Sequence, residues 1–143
     1  MKTITTLSKY FFLPSLLIAA FIFISCSSSG SERKMSGPPF ENTMWALISV
    51  TGDSVTADFD VKFSTGQVTG TGPCNSFTGV YNLNGTVVSI SKILSTDVGC
   101  AQIQMEGEYL RLLGAAQRYD IQNGYLKIFT SVDYKVMTFA PAN

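Results

Sequence analysis

The sequence predicts a mainly β fold: a small antiparallel β-barrel-like or sandwich domain of seven or eight short strands, with one amphipathic helix covering an open end. Three observations lead there. Apolar and polar residues alternate in short runs across residues 45–139, Asn-Gly pairs punctuate those runs, and a single long stretch of good helix formers stands late in the order.

The first 25 residues form a separate element. Lys2 and Lys9 make a basic start, and Phe11 to Ile24 is an almost unbroken apolar run. At a helical rise of about 1.5 Å per residue such a run reaches only ~21 Å, short of a ~30 Å hydrocarbon core. A basic flank, a short apolar core and a small residue before the break read as a secretory signal. "FISC", Phe23 to Cys26, resembles the lipobox of bacterial lipoproteins, in which the Cys is acylated and becomes the new N-terminus. The expectation is a lipidated Cys26, with an ordinary cleaved signal as the alternative. Each buried CH₂ contributes about 0.8 kcal/mol, so several acyl chains give a stable anchor. Residues 26–39 are Ser-, Gly- and Pro-rich without periodicity, the composition of a flexible tether, and the folded domain is expected over 40–143. Ser27 after Cys26 resembles the pattern of lipoproteins forwarded to an outer membrane.

Within the domain, Trp45 to Val50 is a short apolar run with β-branched residues. Ala57 to Phe63 alternates strictly, with Ala57, Phe59, Val61 and Phe63 on one face and Asp58, Asp60 and Lys62 on the other. Ser64 to Gln67 supplies a turn into a Thr/Gly-rich strand. Asn84-Gly85 between Val80–Leu83 and Val87–Ile90 predicts a type I′ hairpin, and Asn123-Gly124 predicts a second. Ala101 to Gln117 predicts the helix, with Ile103, Met105, Tyr109, Leu110, Leu112, Leu113 and Ala116 toward the core and Glu108 and Arg111 opposite. Tyr134 to Phe139 closes the fold as a strand.

Ten acidic and ten basic residues balance over the whole chain; loss of the leader removes Lys2 and Lys9 alone and leaves the rest slightly acidic. No Lys/Arg cluster is present to track phosphates, so nucleic acid is not an expected partner. The chain has no histidine, which excludes Cys–His and Ser–His–Asp chemistry. A structural zinc site takes about four Cys or His ligands, and with Cys26 taken by lipid only two thiols are available. No cofactor, metal or catalytic residue is expected. With Cys26 consumed by lipid, Cys74 and Cys100 remain, and an oxidising compartment favours their disulfide over a pair of buried thiols. A bridge across this separation contributes about 3.5 kcal/mol through loop entropy.

At "GPCNSFTGVY", Gly72 to Tyr81, the residues resemble a known pattern. With Trp45, "ILSTDVGC" and "MEGEYLRLL", they are similar to the META domain, the family of HslJ-like bacterial heat-shock lipoproteins. The matching positions are Trp45, Cys74, Asn75, Phe77, Gly79, Tyr81, Thr96, Cys100, Glu106 and Leu110. Pro73 stands where Gly usually precedes the Cys, and Asp97 where a basic residue is common. The resemblance implies a compact barrel-like fold with one helix, an envelope setting linked to stress or antibiotic tolerance, and no catalytic activity.

Residue by residue, structural roles are expected to dominate. Asp58 and Asp60 read as a solvated strand face, and Glu106 and Glu108 point away from each other on the helix. Trp45, Phe59, Phe63, Phe77 and Tyr81 read as core, with a ligand pocket as the alternative. Asn75 is expected to bond local backbone in its turn. The function expected is that of a non-enzymatic, membrane-anchored envelope lipoprotein that binds or stabilises an envelope protein or an apolar ligand. Two alternatives stand beside it. One is a hydrolase (lysozyme or protease) inhibitor using the loops Ser49 to Thr56 or Thr130 to Tyr134; the other is a carrier of a lipid or small apolar ligand.

Overall fold

A computed structural model describes residues 37–142. The leader, Cys26 and most of the tether lie outside the described residues. Nine strands and one helix follow in order: β1 (Met44–Val50), β2 (Asp53–Ser54), β3 (Asp60–Ser64), β4 (Gln67–Thr71), β5 (Ser76–Asn84), β6 (Val87–Ser95), α1 (Ile103–Gly114), β7 (Ala116–Gln122), β8 (Tyr125–Thr130) and β9 (Val136–Pro141). Every pairing is antiparallel, and β1 also pairs with β9. The sheet therefore closes into an eight-stranded barrel, with the two-residue β2 folded back on the end of β1. Closure removes the open edges that an antiparallel sheet of this size would otherwise expose.

The alternating patterns explain the core. Val61 and Phe63 on β3, Phe77 and Tyr81 on β5, Leu126 and Ile128 on β8, and Met137 and Phe139 on β9 all point inward and are buried. Their sequence neighbours face out, as the period of two requires. Trp45 sits fully buried among them, and its indole N–H donates to the Phe40 carbonyl at 3.1 Å. The barrel is filled by its own side chains, and the pocket alternative for these aromatics does not hold in its interior.

Each end is closed differently. At one end Phe40, just ahead of β1, stacks on Phe63 and lies 4.2 Å from the Tyr119 ring. At the other, α1 lays Tyr109 against Phe59 and Phe77, at 4.6 and 5.8 Å between ring centroids. The helix sits where β6 and β7 part: these strands share a single register pair, Val87 with Arg118. Its buried face is Glu106, Tyr109, Leu112 and Leu113, while Ile103 and Met105, expected inside, are exposed. The helix ends at Gly114, three residues before the expected Gln117, because Ala116 pairs with Thr130 and already belongs to β7.

Turn chemistry accounts for two more differences. Asn123-Gly124 forms the expected two-residue turn, both residues having positive φ. In the other hairpin Asn84 pairs with Val87, so the turn is Gly85-Thr86, with positive φ at Gly85 alone. That is the signature of type II′, and it shifts the turn one residue from the expected Asn84-Gly85. The strand expected from Ala57 begins at Asp60, since Val55 to Phe59 is an irregular connection between β2 and β3; Phe59 remains buried. Likewise β9 starts at Val136, after a tight turn in which Asp133 and Tyr134 both have positive φ.

Candidate functional site

The Cys-Asn turn ahead of β5 is held from the helix. Glu106 is only 3% exposed, and its Oε2 accepts the backbone N–H groups of Cys74 and Asn75, each at 2.9 Å. Its Oε1 accepts the Asn75 side-chain amide at 2.7 Å. The same amide donates to the Val98 carbonyl at 3.0 Å, and Asn75 Oδ1 accepts from Thr96 Oγ1 at 2.8 Å and the Val98 N–H at 2.7 Å. Asn75 thus ties the segment before α1 to the turn, rather than bonding its own neighbourhood. Cys74 and Cys100 form a disulfide, Cα atoms 5.7 Å apart, closing the same loop covalently. Among the described residues no buried side-chain nitrogen or oxygen lacks a partner. A satisfied network of this kind fixes geometry.

The other matched residues serve the same frame. Trp45, Phe77 and Tyr81 are core, and Gly79 is buried at a β5 irregularity where an added Cβ would lie 3.0 Å from the Ser91 carbonyl. Leu110 is half-buried against the core, and Thr96 also accepts the Ser76 N–H. The Tyr81 hydroxyl donates to Glu41, and burial, with Glu41 beside it, pushes the phenol up to about 12. Asp60 accepts Thr71 N–H and Oγ1 across the β3–β4 pair, both at 2.8 Å, whereas Asp58 lies outside the strand and is exposed. Glu106 and Glu108 face opposite ways, one buried and one in a surface ion-pair network.

A second feature was not legible in the sequence. A cleft of about 500 Å³ opens at the helix end of the barrel, between α1, the β1–β2 hairpin and the turn before β9. Leu47, Val55, Phe59, Met105 and Leu112 make apolar walls. Asp53, Glu108, Asp133 and Lys135 stand among the lining residues as its charged groups. Glu108 bonds Arg111 Nε at 2.7 Å and Lys135 Nζ at 2.9 Å, and these bonds, Arg111 first, pull its carboxyl down to about 2. Both loops singled out in the sequence, Ser49 to Thr56 and Thr130 to Tyr134, contribute to this cleft. Among the described residues no cluster of His, Cys, Asp or Glu could hold a metal.

No curated protein matches the chain. The fold is similar to a protein from Burkholderia xenovorans solved by NMR, with 21% identity and a TM-score of 0.61 over 73% of this chain and 84% of that one. It is also similar to a DUF4847 family protein from Bacteroides vulgatus, at 15% identity and a TM-score of 0.57, over 71% of this chain and 93% of that one. A further NMR structure shares 19% identity with a TM-score of 0.59, over 71% of this chain and 91% of that one. None of these descriptions names an enzyme. The META domain family model matches residues 38–143. That span takes in the barrel, the end helix and the Cys-Asn turn alike, and the chain belongs to the META domain family.

Proposed function

We propose that this protein is exported, anchored by lipid on Cys26 to the bacterial cell envelope at its outer membrane, and acts there by binding, in envelope stress or antibiotic tolerance. The observation that carries the binding role is the cleft at the helix end, apolar-walled and charged at intervals, of the size that ligand sites have. The lipobox-like Phe23 to Cys26 and the Ser/Gly-rich stretch behind it support the anchor. Ligand uptake is favoured over hydrolase inhibition by the Ser49 to Thr56 loop. The Thr51 N–H donates to the Val136 carbonyl at 2.7 Å, so the hairpin is fastened beside the cleft instead of projecting into a partner.

Two measurements test the proposal. Fatty-acid labelling in cells should mark the wild type and leave Cys26→Ala unlabelled; equal label in both overturns the anchor. For the cleft, the full chain in phosphatidylcholine nanodiscs is titrated with neutral 4-phenylbutanol while methionine methyl resonances are followed. A saturable shift at Met105, absent at the fully buried Met137 and lost on filling the cleft with Val55→Trp, is the expected result. Absence of any saturable shift overturns the binding role.

A further inference from the structure

Resting on the binding role above, the geometry points to a ligand class: we infer that the cleft takes an amphipathic organic amine, its ammonium at the charged rim and its apolar body on the Phe59–Leu112 wall. Three carboxylates, Asp53, Glu108 and Asp133, line the cleft against one ammonium, Lys135. Lys135 is already engaged, its Nζ 2.9 Å from Glu108 Oε1. The other cation nearby, Arg111, is engaged too: its Nε and Nη2 donate to the two oxygens of Glu108 at 2.7 and 2.8 Å. Glu108 is thereby neutralised twice over. Asp53 and Asp133 have no ion-pair partner among the described residues, although Arg111 is close enough to Asp133 to feel its charge. Even with Arg111 counted, the balance at the rim is one negative charge, and it sits on the two carboxylates that a ligand can reach.

The consequence for a ligand's head group has a definite sign. An ammonium entering the cleft finds Asp53 and Asp133 unpaired. A carboxylate head would face the same two acids and would share Lys135 with Glu108. Electrostatic complementarity of this sort sets which partner is rejected as much as which is accepted. The apolar walls meanwhile hold the body of the ligand whatever its head carries, so the two contributions are separable.

Three probes with one body separate them: 4-phenylbutylammonium, 4-phenylbutanol and 4-phenylbutyrate, titrated into the full chain in nanodiscs and read at the Met105 methyl. The ammonium should bind at least fivefold more tightly than the carboxylate, with the alcohol between. In Asp53→Asn/Asp133→Asn the preference should fall to within twofold; Asn keeps the side-chain shape and tolerates the positive φ at position 133. Equal affinity of ammonium and carboxylate in the wild type overturns the inference, and so does a preference that survives in the double variant. Where the alcohol binds, Val55→Trp abolishes that binding and no charge preference exists, the cleft role stands and the amine assignment falls. Failure of all three probes to bind overturns both.

Discussion

Glu106 reaches Asn75 twice, accepting its backbone N–H on one oxygen at 2.9 Å and its side-chain amide on the other at 2.7 Å. One carboxylate therefore positions both the main chain and the side chain of a residue thirty-one places earlier. Glu106→Ala leaves the Cys74 and Asn75 N–H groups buried without an acceptor, each a loss of about 1–3 kcal/mol. The variant should lose about 3–5 kcal/mol in urea unfolding with the slope unchanged. Glu106→Gln keeps one acceptor but turns an amide toward a donor, and should lose about 1–2 kcal/mol.

Gly72 faces the same carboxylate. A Cβ there would meet Glu106, with Cδ and Cγ each at 2.9 Å and the Oε2 oxygen nearer still. Gly72→Ala should cost about 1–3 kcal/mol in the wild type, the range for overpacking. In a Glu106→Ala background the obstruction is gone, so the cost should fall below half. A double-mutant cycle showing additive losses would disprove the contact as the cause.

The Cys74–Cys100 bridge closes a loop of sequence separation 26. Cys74→Ser/Cys100→Ser should lower stability by about 2–4 kcal/mol. In denatured, unreduced wild type neither thiol should be alkylated, and mass spectrometry should find both labelled after reduction.

Glu108 gives the chain an acid-sensitive contribution. Bonds from Arg111 and Lys135 hold its carboxyl at about 2, below the value of 4.5 for a free glutamate. A depressed folded-state value means the contribution is complete above about 4.5 and is lost as pH falls toward 2. The carboxylate is well exposed, so solvent screening limits the effect to about 0.5–1 kcal/mol. Glu108→Gln should flatten the stability-versus-pH curve over that window and leave it unchanged in shape near pH 7. A wild-type curve matching the variant's between pH 5 and 2 would remove the ion pairs as the source.

How far the sequence could be read depended on whether the signal was local. Alternation in residues 57–63 found a strand, and Asn123-Gly124 found a hairpin, since each depends on a few adjacent residues. Asn84-Gly85 was displaced by one residue because the same pair suits either a type I′ turn or the flank of a type II′ turn, and cross-strand pairing decides between them. Ala116 reads as helix by composition and is strand by pairing to Thr130. Asn75 was placed in its turn correctly, but its partners Val98 and Glu106 come from distant segments, and only the folded barrel brings them together. The cleft had no sequence signature at all. Its walls come from residues 47 to 135, and the apolar patterning that marks Phe59 and Leu112 as inside does not say which end of the barrel stays open.

The pairing of β1 with β9 bears on how the chain is made. Trp45 to Val50 wait for Met137 to Pro141, so the barrel is sealed by pairing the first of its strands with the last. Contacts so far apart in sequence form slowly. A nascent or clipped chain lacking Val136–Pro141 has two unpaired edges, on β1 and on β8, in place of none. Until those six residues pair, the domain is an open sheet whose exposed edges are a route to aggregation.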